Sequence, residues 1–358
     1  MHPNLKGALW PLLLIGATVG VLALAILAFG QRQNPGEALL TLWRGAFGSL
    51  DAATDTAARA AVLIFYALGI VLSFRAGIFN IGTEGQSRLG AIVAAAIAVN
   101  GPGRALAGVP FIGIPLLLAL GALAGSAWSL LAGVLRRWRG VPEVIGTLML
   151  NFIALSLARW LLSDAALLRE SRGVISQSDI IPESLQLQSW GATEFHTGIL
   201  LVLPVLVWAH VYLFHTPSGF NLRAVGLNPT ASKSCGINTA AIELKTFAMA
   251  GALAGFAGAM GLLVRTQLDK SPYPSDDYGF MAIAVALVAD LKPLWVLPAA
   301  VLFAALEVGT GSMERNAGVS HEVVYLVEGL IILAVLIRHV ATSRSRASEG
   351  SAAAKAGV

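Results

Sequence analysis

Charge is what this sequence has least of. Only 12% of its 358 residues are Asp, Glu, Lys or Arg, against about a quarter in an ordinary soluble domain. So few charges cannot coat a water-facing surface, and much of this surface must face lipid. Cysteine is nearly absent as well. Cys235 stands alone, which excludes an internal disulfide and any cluster of thiolate metal ligands. The signatures of several enzyme classes are missing. No Gly-x-x-x-x-Gly-Lys-Ser/Thr run occurs, so the chain has no P-loop for ATP. His321-Glu322 is followed by Val-Val-Tyr and is not a His-Glu-x-x-His zinc site. There is no Gly-x-Ser-x-Gly nucleophile elbow, and the six His are scattered. The net charge is +4, but no run of Lys and Arg and no basic helix face accompanies it, which sets aside nucleic acid as a partner.

What fills the chain instead is apolar. Hydrophobic residues make up 56% of it, and the mean hydropathy is +0.74. Apolar runs lie at Ala8–Phe29, Ala60–Phe74, Leu89–Val99, Phe111–Leu135, Val144–Leu162, Gly198–Phe214, Thr246–Val264, Gly279–Ala289, Pro293–Val308 and Val323–Ile337. The first is too long for a signal-peptide core and reads as a retained span. Backbone groups in lipid must be paired internally, so these runs are helices unless the chain closes a barrel, and they lack the two-residue alternation of a barrel. The expectation is an all-α polytopic membrane protein of about ten helices, with a single transmembrane domain over 1–340 and a disordered cytoplasmic tail over 341–358. With the N-terminus inside, the inner segments hold 14 of the 24 Lys and Arg residues. That bias has the sign expected of cytoplasmic loops and puts both termini in the cytoplasm.

Two runs, Leu89–Val99 and Gly279–Ala289, are too short to cross alone. Each follows a polar stretch containing glycine, Gly77–Gly85 and Ser271–Gly279. Interrupted apolar segments in both halves of a transporter point to broken helices beside a substrate path. The first stretch carries Asn80, Thr83, Glu84 and Gln86 between apolar runs. Polar groups at that depth face a bundle interior or an aqueous path, although a plain turn with a solvated Glu would show the same residues. Asn151 lies inside the fifth run, with Glu143 at its entrance, and suits a hydrogen bond between helices. Glu328 lies inside the last run. The pentapeptide Gly-Ala-Leu-Ala-Gly occurs at Gly121–Gly125 and again at Gly251–Gly255. Its Gly-x-x-x-Gly spacing lets helix backbones approach closely. In the loop Thr216–Lys245, Asn228-Pro229 is a helix start, and a short helix from about Pro229 to Ser234 would end at Gly236. Such a helix across the cytoplasmic face could receive force from an ATPase.

The run from Ser73 through Arg75, Asn80 and Glu84 to Gln86 resembles the signature of ABC permeases for nucleosides and simple sugars, within the larger group of ribose-type and branched-chain amino acid permeases. The segment Leu222-Arg223-Ala224-Val225-Gly226-Leu227-Asn228-Pro229 looks like that family's coupling segment. The stretches Glu143–Asn151 and Gly279–Leu287 match in order and spacing, and the resemblance spans roughly Gly36 to Ile337. It implies a multi-pass permease of the bacterial inner membrane with no cofactor of its own. ATP and Mg would be bound by a partner ABC ATPase. The other partners would be a second, homologous permease, an extracytoplasmic substrate-binding protein and the lipid bilayer. On this reading Asn80, Glu84, Gln86 and Asn151 line the substrate path, with Glu84 equally suited to accepting backbone N–H bonds. Arg223, Ala224, Val225, Gly226, Asn228, Pro229, Ala231 and Gly236 would couple the chain to the ATPase. The expected function is nucleoside import. A simple-sugar permease and an ion-driven secondary transporter using Glu84 and Glu328 are the alternatives. The chain departs from the family pattern at Ser87-Arg88, Ser234-Cys235 and Asp290-Leu291.

Overall fold

The computed structural model describes residues 35–164, 168–170, 176–189, 195–269, 278–317 and 329. The expected spans Ala8–Phe29 and, apart from Gly329, Val323–Ile337 lie outside the described residues. So do Glu328, His321, the tail and most of the Ser271–Gly279 stretch. Among the described residues the chain is helical, with two short 3-10 turns, a few isolated bridges and no named strand. Among the described residues six helices are long and apolar enough to cross a membrane, or seven if one bent pair is taken as a single span.

The chain forms two compact units, one from Met1–Thr56 with Ala304–Val358 and one from Ala57–Phe303. In the first unit, α1 (Pro35–Phe47) meets the opening turns of α2 (Leu50–Arg75), where the Thr56 hydroxyl donates to the Ala46 carbonyl at 2.9 Å. Gly45 lies against Ser312, and Gly309 lies against Leu42.

The second unit holds the rest of α2, followed by α3 (Thr83–Val99), α4 (Gly101–Ala107), α5 (Pro110–Arg139), α6 (Glu143–Leu161), α7 (Val202–His215), α8 (Pro217–Leu227), α9 (Pro229–Ser234), α10 (Thr239–Arg265) and α11 (Tyr278–Val288). The helix α12 (Pro293–Ala317) begins there. Leu63, Phe65, Leu68 and Leu72 are each fully buried, so α2 is apolar all round because it runs through the core. The outer helices α5, α6 and α7 are equally apolar yet mostly uncovered. Leu123, Leu131, Phe152, Ile153, Val207 and Trp208 point outward from them, as lipid-facing side chains do.

The two Gly-Ala-Leu-Ala-Gly copies pack against each other. A side chain at Gly125 would run into the Gly251 carbonyl, and one at Gly255 would run into the Gly121 carbonyl. The copies cross antiparallel, and backbone meets backbone between α5 and α10. On the neighbouring face of α10, Gly258 lies on the Ser87 carbonyl and Gly90 on the Gly255 carbonyl, which brings α3 into the same seam. Adding one methyl here overpacks the seam. Gly255→Ala is expected to cost about 1–3 kcal/mol, visible as a lowered melting temperature in detergent.

The segment 216–245 is more ordered than its composition suggested. The expected helix forms as α9 and ends before Gly236, whose φ is +83°. The stretch before it, read as loop from the sequence, is the 11-residue helix α8. Thr216 caps it by accepting from the Gly219 N–H at 3.1 Å, and Pro217 occupies its first turn. The same Ser/Thr/Asn-then-Pro start signal was present twice, at Thr216 and at Asn228.

Candidate functional site

The first interruption begins where α2 ends. Gly77, with φ +73°, lets the Ile78 N–H reach back to the Ser73 carbonyl at 2.9 Å and its own N–H reach Phe74 at 3.1 Å, a Schellman close. Residues 78–82 then run without helical hydrogen bonds until α3 starts at Thr83. Inside a membrane those open groups need partners, and two side chains four residues apart on α6 supply them. The Thr147 hydroxyl accepts from the Ile81 N–H at 3.2 Å. Asn151 accepts from the Gly85 N–H at 2.9 Å and donates to the Ile81 carbonyl at 3.0 Å. Asn80 accepts from the Gly82 N–H at 2.9 Å and from the Gln86 amide at 3.0 Å.

The structure therefore brings the four sequence-selected polar residues to one place. Asn80, Gln86 and Asn151 are buried and direct their amides to the chain or to one another. Glu84 is half-buried. It accepts from the Gly279 N–H at 3.2 Å, at the start of α11, and it also lines a cavity. The helix α11 has only 11 residues. A carboxylate at its N-terminus complements its dipole and occupies one of its unpaired N–H groups.

That cavity is walled by α2, α3, α6 and α10, and its polar lining is mostly charged. Glu84 and Arg88 come from α3, and Arg265 from the end of α10. Asp269 follows, paired with Arg265 at 3.2 Å. The Tyr66 hydroxyl donates to the Ser87 Oγ at 2.6 Å on the same wall. Gln267 adds an amide, and Gly258 and Gly261 leave the α10 face open. Two carboxylates stand with two guanidinium groups, so the lining is charge-balanced. The sequence had flagged Ser87-Arg88 only as a departure from a family pattern. Tyr66, Arg265, Gln267 and Asp269 were not selected at all, although an Arg at a span end with an Asp four residues later was a readable sign. Beyond the cavity, burial pushes the His196 imidazole down to about 4, so it stays neutral near pH 7. Among the described residues no group of His, Cys, Asp and Glu is arranged to hold a metal.

The expected coupling residues sit at the elbow of α8 and α9. Asn228, Pro229, Ala231 and Gly236 are exposed, as is Leu227. Arg223, Ala224 and Gly226 are half-buried, and Val225 is buried. The inner side of α8 rests on the end of α2, where Gly226 meets the Arg75 carbonyl.

Comparisons with known proteins show the family. Residues 52–336 match the family described as the branched-chain amino acid transport system / permease component. The guanosine ABC transporter permease protein NupP of Bacillus subtilis (strain 168) is 32% identical over 323 residues, covering 90% of this chain and 91% of that one. The nucleoside ABC transporter permease protein NupB of Lactococcus lactis subsp. cremoris (strain MG1363) is 30% identical, covering 95% and 93%. The glucose ABC transporter permease protein TsgB13 of Haloferax volcanii is 29% identical, covering 90% and 85%. With apolar outer helices, an interrupted segment at 78–82 and a match over most of its length, this chain belongs to the branched-chain amino acid transport system / permease component family of ABC transporter permeases.

Proposed function

We propose that this chain is one of two homologous permease subunits of an ATP-driven importer that carries nucleosides across the bacterial inner membrane. The observation that carries the proposal is the charge-balanced cavity beside the interrupted helices. Its paired Arg and carboxylate groups, Tyr66–Ser87 hydroxyl pair and Gln267 amide offer donors and acceptors without net charge. A neutral, hydroxyl-rich ring compound suits that lining better than a phosphorylated one. The names of NupP and NupB support the same cargo. The name of TsgB13 favours a second reading, a simple sugar.

On this proposal the substrate enters from an extracytoplasmic binding protein. A separate ATPase binds ATP and Mg, and its closure moves the exposed elbow of α8 and α9. Both termini are cytoplasmic, and the fold counts about ten membrane helices. The 14 inner Lys and Arg residues support that orientation.

The test is uptake of labelled nucleosides, with ribose, galactose and glucose in parallel, in cells with and without the chain. Loss of nucleoside uptake alone is the expected outcome. Loss of sugar uptake instead would move the cargo to the second reading. Uptake should fail on ATP depletion and survive an uncoupler.

A further inference from the structure

The cytoplasm-facing end of α11, as oriented above, closes in an unusual way. The Asp290 N–H returns to the Leu287 carbonyl at 2.9 Å and the Leu291 N–H to the Ala286 carbonyl at 3.0 Å, the same Schellman pattern that ends α2. Here, however, no glycine takes the left-handed turn. Asp290 has φ +54° and Leu291 φ +53°, conformations in which the Cβ of an L-residue crowds the following carbonyl oxygen. Strain of this kind persists only where the surroundings hold it. The holder is Arg75. Its guanidinium donates through Nε to the Leu291 carbonyl at 3.0 Å and through Nη2 to the Asp290 carbonyl at 3.2 Å.

Arg75 is also the last residue of α2, and its own carbonyl is the surface on which Gly226 of α8 rests. Its guanidinium lies 5.8 Å from the Phe214 ring at the end of α7, and Arg223 of α8 lies 5.1 Å from that same ring. The coupling elbow and the end of α11 therefore meet at one residue, the first on its carbonyl and the second on its guanidinium. The other end of α11 is held by Glu84, on the cavity wall. With 11 residues α11 is about 16 Å long, about half the hydrocarbon thickness of a bilayer. It spans from Arg75 to Glu84.

We infer that Arg75 is a positioning residue that ties α8 to α11, so that displacement of the elbow is delivered through α11 and Glu84 to the substrate cavity. The inference rests on the proposed importer function. Its test reads the motion separately from the cargo. The full complex, with its ATPase and partner permease, is placed in lipid nanodiscs, and hydrogen exchange over 286–292 is compared between the nucleotide-free and vanadate-trapped states. In the wild type exchange there should change with the trapped state. In Arg75→Ala the chain should still co-purify with the ATPase, the state dependence should vanish, and uptake should fall by about tenfold or more, within the usual range of site-to-site coupling. Arg75→Lys has no planar fork to serve two carbonyls at once and should fall between.

A second variant separates coupling from simple support of the turn. Leu291→Gly relieves the second of the two left-handed positions, so Arg75→Ala/Leu291→Gly should regain part of the exchange protection at 290–292 but neither uptake nor state dependence. Restored uptake in that double variant would overturn the inference, because Arg75 would then only stabilise the turn. Retained uptake and state dependence in Arg75→Ala would overturn it as well. A wild type that shows the state-dependent exchange but carries no nucleoside would refute the cargo and leave the Arg75 link standing.

Discussion

Gly226→Leu is expected to abolish uptake while leaving the chain in the membrane. At this position a side chain has nowhere to go. A Cβ would collide with the Arg75 carbonyl oxygen and lie 2.8 Å from its carbon and 2.9 Å from the Ala76 carbonyl carbon. These are backbone atoms of the turn that ends α2, so neither side can yield by a rotamer change. The leucine must push α8 away from Arg75, and the exposed elbow formed by Leu227 and Asn228 moves with it. The packing of α2 on α10 at Gly69 and Ala250 lies away from this contact, so insertion and abundance should persist. A fall in uptake of more than about tenfold, against the coupling range of about 5–150-fold, with an unchanged amount of chain in the membrane fraction, is the expected result. Normal uptake would refute the assignment of this contact to energy coupling. Gly226→Ala should give a smaller fall, since only the first methyl must be accommodated.

Asn151→Leu should be the most destabilising single change at the break. Its amide serves the Gly85 N–H, in the first turn of α3, and the Ile81 carbonyl, in the interruption before it. Stranding each buried group costs about 1–3 kcal/mol, so the pair amounts to about 2–6 kcal/mol. Thermal unfolding of the purified protein in detergent should show it as a large drop in midpoint. Thr147→Val removes the acceptor for the Ile81 N–H and a local bond to the Glu143 carbonyl of its own helix, and should cost about half as much. Equal effects from the two variants would mean that the interrupted segment finds other partners.

The break itself was legible in the sequence, because Gly77, Gly82 and Gly85 cluster with Asn80, Glu84 and Gln86 between two apolar runs. What each residue does there was not. Asn151 finds its partners 66 and 70 positions away, and nothing in the local pattern of α6 announces that distance. The cavity was hidden for a related reason. Tyr66 and Arg265 are unremarkable where they stand, one in an apolar helix and one at a helix end, and gain meaning only when α2 and α10 meet α3. The helix α8 was obscured by Gly219 and Gly226, which lower helix propensity, although Thr216-Pro217 marks its start. Gly219 nests on the Tyr212 and Leu213 carbonyls and Gly226 on Arg75, so both glycines serve contact rather than flexibility. The Asp290-Leu291 departure from the family pattern became informative only when both residues proved to be left-handed and held by one guanidinium.

The paired pentapeptides have one more consequence. Where α5 and α10 cross, carbonyl oxygens fit into the notches left by glycines spaced four residues apart. Surfaces keyed in this way resist gradual sliding, because any small shift along the axis sets a carbonyl against a Cα. Helices α3, α5 and α10 therefore travel as one rigid staff. A transport cycle has to be executed by the pieces outside that staff, among them the unwound residues 78–82 and the half-length α11, which meets the cavity wall at Glu84.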